Sequence, residues 1–369
     1  MRIALFYHSL LSDWNHGNAH FLRGVANELI QRGHRVTIFE PREGWSLTHL
    51  RQDYGEAPLE DFRRAYPWLE SHCYGPDDYP ARLAAGANLV IAHEWNDPAL
   101  IAALGRLRAR SPDLRLLFHD THHRAVSDPK ALEAFELTHY DGVLAFGAVI
   151  RDLYLERGLT RRAWTWHEAA DTRVFYPRSP RPEDDLVWIG NWGDDERSRE
   201  LQEFLLEPVK ALGLKARAYG VRYPDHARRA LTEAGIRYGG WLPNFRVPEA
   251  FARARVTVHI PRSWYRSHLP GIPTIRPFEA LACGIPLISA PWEDSEGLFT
   301  PGQDFLVARN GQEMIGHLER VLNSPQLAHQ LAAHGRRTIL DRHTCIHRVD
   351  ELLDICRELE LDIAPEPSL

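Results

Sequence analysis

Short, continuous apolar runs recur along the chain and alternate with longer segments of helical periodicity. In the first half these runs lie at 2–7, 35–39, 89–93, 114–119 and 142–146. They are uninterrupted, which is typical of parallel strands whose sheet is covered on both faces. Between the first two runs, residues 19–33 place their apolar side chains on one helical face, and Gly33 ends the pattern. Strand, helix and strand predict a right-handed βαβ unit.

The second half repeats this rhythm. Five more strands are predicted, at 186–190, 216–219, 256–260, 286–290 and 305–308. A chain of 369 residues is long enough for about two domains, each with its own core. We therefore expect an α/β fold with two Rossmann-like domains, whose parallel sheets face each other across a cleft. Ligands of such sheets bind outside the carboxyl ends of the strands.

Prolines and charged residues cluster between the two halves, at 171–185, which predicts an interdomain linker. The predicted boundaries are an N-terminal domain over 1–168, a linker over 169–184 and a C-terminal domain over 185–345. Residues 346–369 are predicted to form a last helix and tail, which can pack back towards the N-terminal domain. The stretch 45–79 is less periodic and is interpreted as an irregular helical insertion.

Composition argues against several classes of protein. The formal net charge is −6, which does not indicate a nucleic-acid binder. None of the four cysteines forms a C-x-x-C pair, so a zinc ribbon or a thioredoxin-type site is not indicated. No apolar run reaches the roughly 18 residues that span a bilayer, and the first residues lack a signal-peptide layout. We expect a soluble, cytoplasmic protein without a transmembrane segment.

The stretch 271–290, with the sequence GIPTIRPFEALACGIPLISA, carries the most chemistry. A helix is predicted to begin near Pro277 and to end at Gly284, and a buried strand follows. Glu279 then falls in the first helical turn. Free N–H groups there bind a diphosphate, Arg276 can pair with phosphate oxygens, and Glu279 can accept hydrogen bonds from ribose hydroxyls. The alternative is a glutamate that only complements the helix dipole.

The segment RPFEALACGIPLISAPW resembles the C-terminal signature of retaining GT-B glycosyltransferases of the group 1 class. Within that class it is closest to the CgeB-like (spore-maturation-protein-like) branch. Three more segments agree with this resemblance in order and spacing: DTRVFYP at 171–177, DFLVARNGQEM at 304–314 and RHTCIHRVDELL at 342–353. The resemblance is clear from 171 to 353 and weaker in the N-terminal half. It implies the GT-B architecture for the two predicted domains.

The resemblance implies a hexosyltransferase that takes a sugar from a nucleoside diphosphate sugar, most often a UDP or GDP sugar. The acceptor is a sugar, lipid, small molecule or protein, and the sequence does not distinguish them. Transfer with retention, without metal or cofactor, is implied. The chain also has no D-x-D, the ligand motif of the manganese-dependent GT-A class. Two alternatives remain: a degenerate GT-B domain that binds a nucleotide sugar or a protein partner without turnover, and a GT-B-type epimerase.

One departure from the family pattern concerns the donor sugar. Many group 1 enzymes carry two glutamates eight positions apart, and the first touches the donor sugar. Counting back from Glu279 gives Gly271, so the first glutamate is missing. The CgeB-like branch also tends to lack it. The stretch therefore predicts a nucleotide site more firmly than it predicts a sugar site.

Two loops of the C-terminal half are predicted to contact the donor. Residues 189–199 (IGNWGDDERSR) follow the first strand, and Arg197 is interpreted either as a phosphate ligand or as part of a surface ion-pair patch with Asp194, Asp195, Glu196 and Arg199. Residues 262–270 (RSWYRSHLP) offer an aromatic ring, from Trp264 or Tyr265, to stack on a base or sugar. The predicted donor-binding residues are Gly190, Asn191, Arg197, Arg262, Tyr265, Thr274, Ile275 and Pro277, with Arg276 and Glu279 as catalytic residues.

The N-terminal half offers a loop, residues 14–20 (WNHGNAH), that leads into the first helix. Gly17 and Asn18 are predicted to form an acceptor or phosphate loop, because a helix N-terminus attracts anions. The nearby His16 and His20 are equally compatible with surface positions.

Two strand ends complete the predicted site. The resemblance places His119 beside the reacting sugar, as a catalytic residue. His93, Glu94 and Asp97 lie at another strand end and are assigned to the acceptor side. Asp120, His122 and His123 form an H-D-x-H-H pattern with His119. A metal site needs three or four converging ligands, and only His93 and Glu94 at the neighbouring strand end offer a further ligand, so no metal is predicted.

Overall fold

The computed structural model describes residues 1–75, 77–78, 80–179, 181–193 and 197–364. The chain forms two compact units. Unit 1 consists of Met1–Glu168 and Cys345–Leu369, and unit 2 of Ala169–Thr344.

Thirteen strands lie in the described part of the chain: β1 (Arg2–Phe6), β2 (Arg35–Pro41), β3 (Ser71–Tyr74), β4 (Leu89–His93), β5 (Arg115–Asp120), β6 (Gly142–Ala145), β7 (Ala163–Thr165), β8 (Asp184–Ile189), β9 (Ala216–Tyr219), β10 (Ile236–Tyr238), β11 (Ala254–His259), β12 (Leu287–Ser289) and β13 (Leu306–Val307).

The α-helices of these ranges are α1 (Ala19–Gln31), α2 (Trp45–Tyr54), α3 (Ala57–Ala65), α4 (Pro80–Leu83), α5 (Pro98–Arg110), α6 (Arg124–Ser127), α7 (Pro129–Glu133), α8 (Ala148–Glu156), α9 (Ser198–Leu201), α10 (Glu207–Leu212), α11 (Asp225–Glu233), α12 (Val247–Ala252), α13 (Ser263–Ser267), α14 (Ile275–Ala282), α15 (Gly311–Asn323), α16 (Pro325–Arg342) and α17 (Cys345–Glu358). A π-helical turn at Gln202–Leu206 and a 3-10 turn at Asn244–Arg246 complete the set. None of the described helices is long and apolar enough to span a membrane.

The sheet of unit 1 has the strand order β3-β2-β1-β4-β5-β6-β7, and every pairing is parallel. The chain starts at β1, builds outward to β3, and returns to the other side of β1 with β4. The strand order therefore reverses between β1 and β4, and ligands of open parallel sheets bind at such a switch point.

The sheet of unit 2 repeats this topology with the order β10-β9-β8-β11-β12-β13, again entirely parallel. Its switch point lies between β8 and β11. The predicted α/β fold with two Rossmann-like parallel-sheet domains is confirmed. Strands β8 and β11 are buried along most of their length, which explains their continuous apolar sequence.

The prediction of an irregular helical insertion at 45–79 is wrong in part. This stretch contains α2, α3 and also β3, which pairs with β2 at the edge of the sheet. The sequence of β3, SHCY, lacks an apolar run because an edge strand has a neighbour on one side only. For the same reason the sequence pattern does not predict β7 and β10, which are three-residue edge strands.

The last helix, α17, belongs to unit 1 and packs against α1. Its buried side chains Val349, Leu352 and Cys356 share one face. The indole nitrogen of Trp166 donates to the backbone oxygen of Arg348 at 2.8 Å, which fixes the end of unit 1 against its first part.

Candidate functional site

Helix α14 lies between β11 and β12, so its N-terminus is at the carboxyl edge of the sheet of unit 2. The helix begins at Ile275, earlier than the sequence predicts, with Thr274 as its N-cap residue. Pro277 then stands in the first turn, where its missing N–H makes no difference. The placement of Glu279 in the first turn is wrong: it lies in the second, because the three residues before the predicted start are already helical or cap the helix.

Thr274 has an unusual backbone conformation, with φ 60° and ψ 179°. This region of backbone space is nearly confined to glycine, and a β-branched residue there is strained. The first free N–H groups of α14 follow directly.

Arg276 and Glu279 are bound to each other. The Arg276 Nη1 atom donates to Glu279 Oε2, and the glutamate side chain is completely buried while the arginine side chain keeps 15% of its surface. A guanidinium has five N–H donors. One of these holds Glu279, so the arginine can orient this carboxylate and still bind an anion.

Gly271 occupies the position where the family pattern has its first glutamate, and the structure shows why a glycine is suited to it. Its φ is +84°, and its N–H donates to the backbone oxygen of Glu293 at 2.7 Å. A Cβ atom at this position would lie 2.7 Å from Glu296 Oε1 and 2.9 Å from Ser295 Oγ. Glycine adopts this conformation without strain, and any side chain here would displace those of Glu296 and Ser295. The carboxyl group of Glu296 fills the place that a side chain of residue 271 would occupy.

Arg197 bridges the switch point of unit 2. Its Nη1 atom donates to the backbone oxygen of Ile260 at 3.0 Å, and its Nη2 atom donates to that of Asn191. These carbonyls belong to the loops after β11 and β8. Gly190 and Gly193 leave room for the side chain, since a Cβ on either would approach the guanidinium to 3.2–3.3 Å.

This geometry gives Arg197 a positioning role, because two of its terminal nitrogens hold the loops together. The alternative of a surface ion-pair patch involves Asp194, Asp195 and Glu196, which lie outside the described residues. Arg199, the other predicted member of that patch, is exposed.

His259 ends β11 and was not predicted. Its Nδ1 atom lies 2.9 Å from Ser289 Oγ, and this hydroxyl donates its own hydrogen to the backbone oxygen of Ala290. Nδ1 must therefore carry the proton, and Nε2 presents a lone pair. Nε2 is buried and has no hydrogen-bond partner in the described part of the chain. Burial, aided by the positive charges of Arg197 and Arg276, lowers the pKa of His259 to about 3.

The loop after β11 holds the remaining predicted donor residues. Arg262 is half-buried and caps α13. Tyr265 is buried, so its ring is not presented for stacking. Trp264 is half-buried, and its ring lies 5.0 Å from that of His268. Of the two aromatic candidates, Trp264 is therefore the one placed to meet a ligand.

In unit 1, the ends of β1 and β4 bring His8 and His93 together, with 4.9 Å between their ring centroids. The Nε2 atom of His93 lies 3.1 Å from Thr121 Oγ1, and Asn18 Nδ2 donates to the same hydroxyl at 2.7 Å. The predicted residues Asn18 and His93 thus meet through Thr121, whereas Gly17 is exposed in the loop.

His119 ends β5 and is completely buried, with Phe21, His93 and Trp166 around its ring. Neither ring nitrogen has a hydrogen-bond partner among the residues described. Burial lowers the pKa of His119 to about 3, so the ring is neutral at physiological pH.

Glu94 and Asp120 form a buried carboxyl pair at the same edge. Glu94 Oε2 accepts from Arg124 Nη2 at 2.6 Å, and Glu94 Oε1 accepts the backbone N–H of Thr121 at 3.1 Å. Asp120 Oδ2 accepts from the hydroxyl of Tyr154 at 2.8 Å. Burial, and then the charge of Asp120, raise the pKa of Glu94 to about 8. A carboxyl directly after an apolar strand was the only sequence signal for this pair.

Surface positions for His16 and His20 are ruled out, since both are buried. Within the described ranges, no three side chains of His, Cys, Asp or Glu are arranged to hold a metal ion.

Residues 197–354 match the family model described as "Glycosyl transferase-like". No curated protein matches the chain in a sequence comparison. Three solved structures are similar over nearly the whole chain. Sucrose-phosphate synthase from Thermosynechococcus elongatus is 16% identical, with 98% of this chain and 99% of the other covered and a TM-score of 0.66.

The second is the Anabaena protein HepE in complex with UDP-glucose, at 12% identity, 97% and 100% coverage and a TM-score of 0.68. The third is a glycosyltransferase from Rickettsia africae, at 11% identity, 98% and 99% coverage and a TM-score of 0.69. The CgeB-like branch stays a prediction. The chain has the GT-B fold, and its residues 197–354 carry the sequence pattern of a glycosyl transferase-like family.

Proposed function

We propose that this chain is a retaining, metal-independent glycosyltransferase that takes a hexosyl group from a nucleoside diphosphate sugar. One observation carries the proposal: the N-terminus of α14, Arg276 and the buried Glu279 lie together at the carboxyl edge of unit 2. Helix N–H groups and a guanidinium suit a diphosphate, and a buried carboxylate suits ribose hydroxyls. The HepE structure contains UDP-glucose, so UDP sugars are the first donors to test, followed by GDP sugars.

The free N–H groups of Ile275 and Arg276 are proposed to bind the diphosphate, since Pro277 has none and the N–H of Phe278 already makes the first bond of the helix. Negative charge grows on the diphosphate as the bond between sugar C1 and the phosphate oxygen breaks. Donors and dipoles fixed before the reaction stabilise that charge more than they stabilise the bound substrate. Arg276 is held by Glu279 and so meets the leaving group without rearrangement.

The transfer itself is proposed to occur on one face of the sugar. The acceptor oxygen bonds to C1 on the side from which the diphosphate leaves, and the acceptor proton passes to the leaving phosphate oxygen. This route retains the configuration and uses no carboxylate as a nucleophile. His119 is proposed to hydrogen-bond the reacting sugar as a neutral ring, because a pKa of about 3 makes it a poor base.

Two residues are proposed to recognise the donor beside α14. The lone pair on His259 Nε2 accepts a hydrogen bond from a donor hydroxyl or N–H. The carboxyl group of Glu296 lies where a side chain of residue 271 would lie. Glu296 is therefore proposed to contact the donor sugar in place of the first glutamate of the family pattern. Asn191 and Gly190 are kept near the phosphates by Arg197, and Trp264 supplies a face for stacking.

A panel of UDP and GDP sugars tests the proposal, with release of free nucleoside diphosphate as one measurement and nucleotide-dependent change in Tm as the other. Glu279→Gln should weaken nucleotide binding at least tenfold, whereas Glu313→Gln, on the exposed α15 pair with Arg309, should not. Release of nucleoside diphosphate supports the transferase. Stabilisation without release supports a nucleotide-binding domain without turnover, which the absence of a side chain at Gly271 favours as the second candidate. If no nucleotide stabilises the chain, both functions are excluded.

A further inference from the structure

Two tryptophans are exposed at the carboxyl edge of the sheet of unit 1. Trp45 opens α2, just after β2, and Trp95 follows β4; they keep 51% and 45% of their surface. Indole rings are usually well buried in folded proteins. Two of them exposed at one edge, on both sides of the switch point, indicate a binding surface.

Two groups of rings, one around each tryptophan, meet in the loop after β1. Trp45 lies 5.1 Å from Trp14 in the loop after β1, and the same loop carries His16, whose ring centroid is 3.7 Å from that of His8. His8 in turn lies 5.9 Å from Trp95. We name this set the aromatic strip; its members are Trp14, Trp45, His49, His8, His16, Trp95 and His122.

The strip is longer than one sugar ring. Trp45 follows β2 and Trp95 follows β4, and β1 lies between these strands. Neighbouring strands are about 4.8 Å apart, so the ends of β2 and β4, which the two tryptophans follow, are roughly 10 Å apart across the sheet. A ligand that contacts both indoles therefore has at least two ring-sized parts.

The charged groups beside the strip are paired. The guanidinium of Arg124 lies 4.1 Å from the centre of the Trp95 ring, and it binds Glu94 at 2.6 Å. Arg23 is buried and binds Asp13 at 2.8 Å. Burial lowers the pKa of His16 well below its usual value, so this imidazole is neutral. Both arginines are therefore engaged by carboxyl groups, and the rings of the strip itself carry no charge.

Neutral hydrogen-bonding atoms lie among the rings. His16 is more than nine-tenths buried, and its Nε2 atom has no hydrogen-bond partner in the described residues. His8 is half-buried, and its Nδ1 atom is likewise without a partner there. Buried polar atoms without partners cost free energy, so a ligand that satisfies them is favoured. Hydroxyl groups donate and accept, and they match an imidazole in either tautomer.

We infer that the aromatic strip binds a neutral saccharide and that this saccharide is the acceptor of the proposed transfer. The apolar C–H faces of its rings stack on Trp45 and Trp95, and its hydroxyls reach the imidazoles of His8 and His16. The acceptor role rests on the proposed function. The binding of a saccharide to the strip does not.

Calorimetric titration of the full chain with cellotetraose, maltotetraose and chitotetraose tests the inference. At least one of these should bind, and Trp95→Ala should weaken it about tenfold, as expected for the loss of one stacked ring. Trp45→Ala should weaken binding of the same tetrasaccharide by a similar factor. Trp68→Ala is the control: this indole is 52% exposed, but it precedes β3 and so lies at the amino edge of the sheet.

The inference is overturned if no saccharide of the panel binds in the millimolar range, or if the Trp45 and Trp95 variants bind like the Trp68 variant. It is also overturned if a single-stranded oligonucleotide or phospholipid vesicles, but no saccharide, bind in a manner that depends on Trp95. Titration of the same samples with UDP separates the two proposals. UDP binding without saccharide binding rejects the strip alone; saccharide binding without any nucleotide binding supports the strip as a saccharide site and rejects its acceptor role.

Discussion

At the switch point of unit 2 an arginine side chain joins the loops after β8 and β11, whereas at the switch point of unit 1 two imidazoles stand between the ends of β1 and β4. The two sheets have equivalent strand orders, and both sets of side chains lie at the carboxyl edge of their sheet. The side chains differ in charge. Unit 2 places Arg197 and Arg276 beside the N-terminus of α14, while unit 1 keeps His93 and His119 neutral by burial.

The comparison separates what the topology determines from what the side chains determine. Parallel strands with this order create a crevice at one edge, whatever residues line it. Cations and a helix N-terminus then make the crevice of unit 2 suitable for a diphosphate. Neutral imidazoles and exposed indoles make the crevice of unit 1 suitable for an uncharged ligand.

The largest effect is expected at the buried pair of unit 2. Arg276→Met removes the cation from a completely buried Glu279 and should lower the free energy of unfolding by about 3 kcal/mol. Adding Glu279→Gln to the same chain should restore most of the stability but none of the UDP affinity. Urea unfolding and UDP titration measure the two quantities.

The control for this pair is Arg309→Met, which breaks the exposed pair of Arg309 with Glu313 and should leave stability unchanged within error. Equal stability of the Arg276→Met variant and the wild type would show that the pair does not hold the site together.

The second effect concerns the space beside Gly271. Gly271→Ala should cost about 2 kcal/mol, because it combines a positive φ with a Cβ from which the side chains of Glu296 and Ser295 must move away. Gly297→Ala, in the same loop, also has a positive φ but meets no atom within 4 Å, and it should cost only about 1 kcal/mol. Thermal or urea unfolding compares the two.

Glu296→Ala in the Gly271→Ala background should recover part of the loss, since it removes the overlapping carboxyl. Additive costs in this double variant would contradict the assignment of Glu296 to the space of the missing side chain.

The third effect is a pH dependence that belongs to unit 1. The folded protein holds a proton on Glu94 up to a pKa of about 8, whereas the unfolded chain releases it near 4.5. Stability therefore falls as pH rises between these values. Buried neutral histidines such as His119 act in the opposite sense, but only below their unfolded pKa of 6.5. From pH 6.5 to 8 the free energy of unfolding should fall by about 2 kcal/mol because of Glu94.

Glu94→Gln should remove this decline, and Glu313→Gln should keep it. Urea unfolding at several pH values in that window is the measurement. A decline that persists in Glu94→Gln would assign the effect to another group.

The sequence predicted the strands that lie inside the two sheets, because burial on both faces leaves an apolar run. It missed β3, β7 and β10, because these strands lie at the edges of the sheets and need fewer consecutive apolar residues. In the site, Arg276 and Glu279 were found because both lie in α14, three residues apart in one short segment of sequence. His259 and Glu296 were missed, since they reach α14 from other elements and only the folded chain brings them there. The same holds for Thr121, which joins Asn18 to His93.

The smallest effect is expected at Thr274. Its conformation, φ 60° and ψ 179°, costs about 1–3 kcal/mol for a residue with a side chain, and glycine adopts it freely. Thr274→Gly should therefore raise the free energy of unfolding by about 1 kcal/mol, once the entropy of the added glycine is subtracted. The start of α14 then becomes looser, and the dissociation constant of UDP should rise several-fold. Arg222→Gly, at the other non-glycine residue with a positive φ in the described part of unit 2 (φ 58°), should gain stability without changing UDP binding. If both variants bind UDP like the wild type, the strain at Thr274 does not serve the donor site, and the N–H groups of α14 hold their orientation through Arg276 and Glu279 alone.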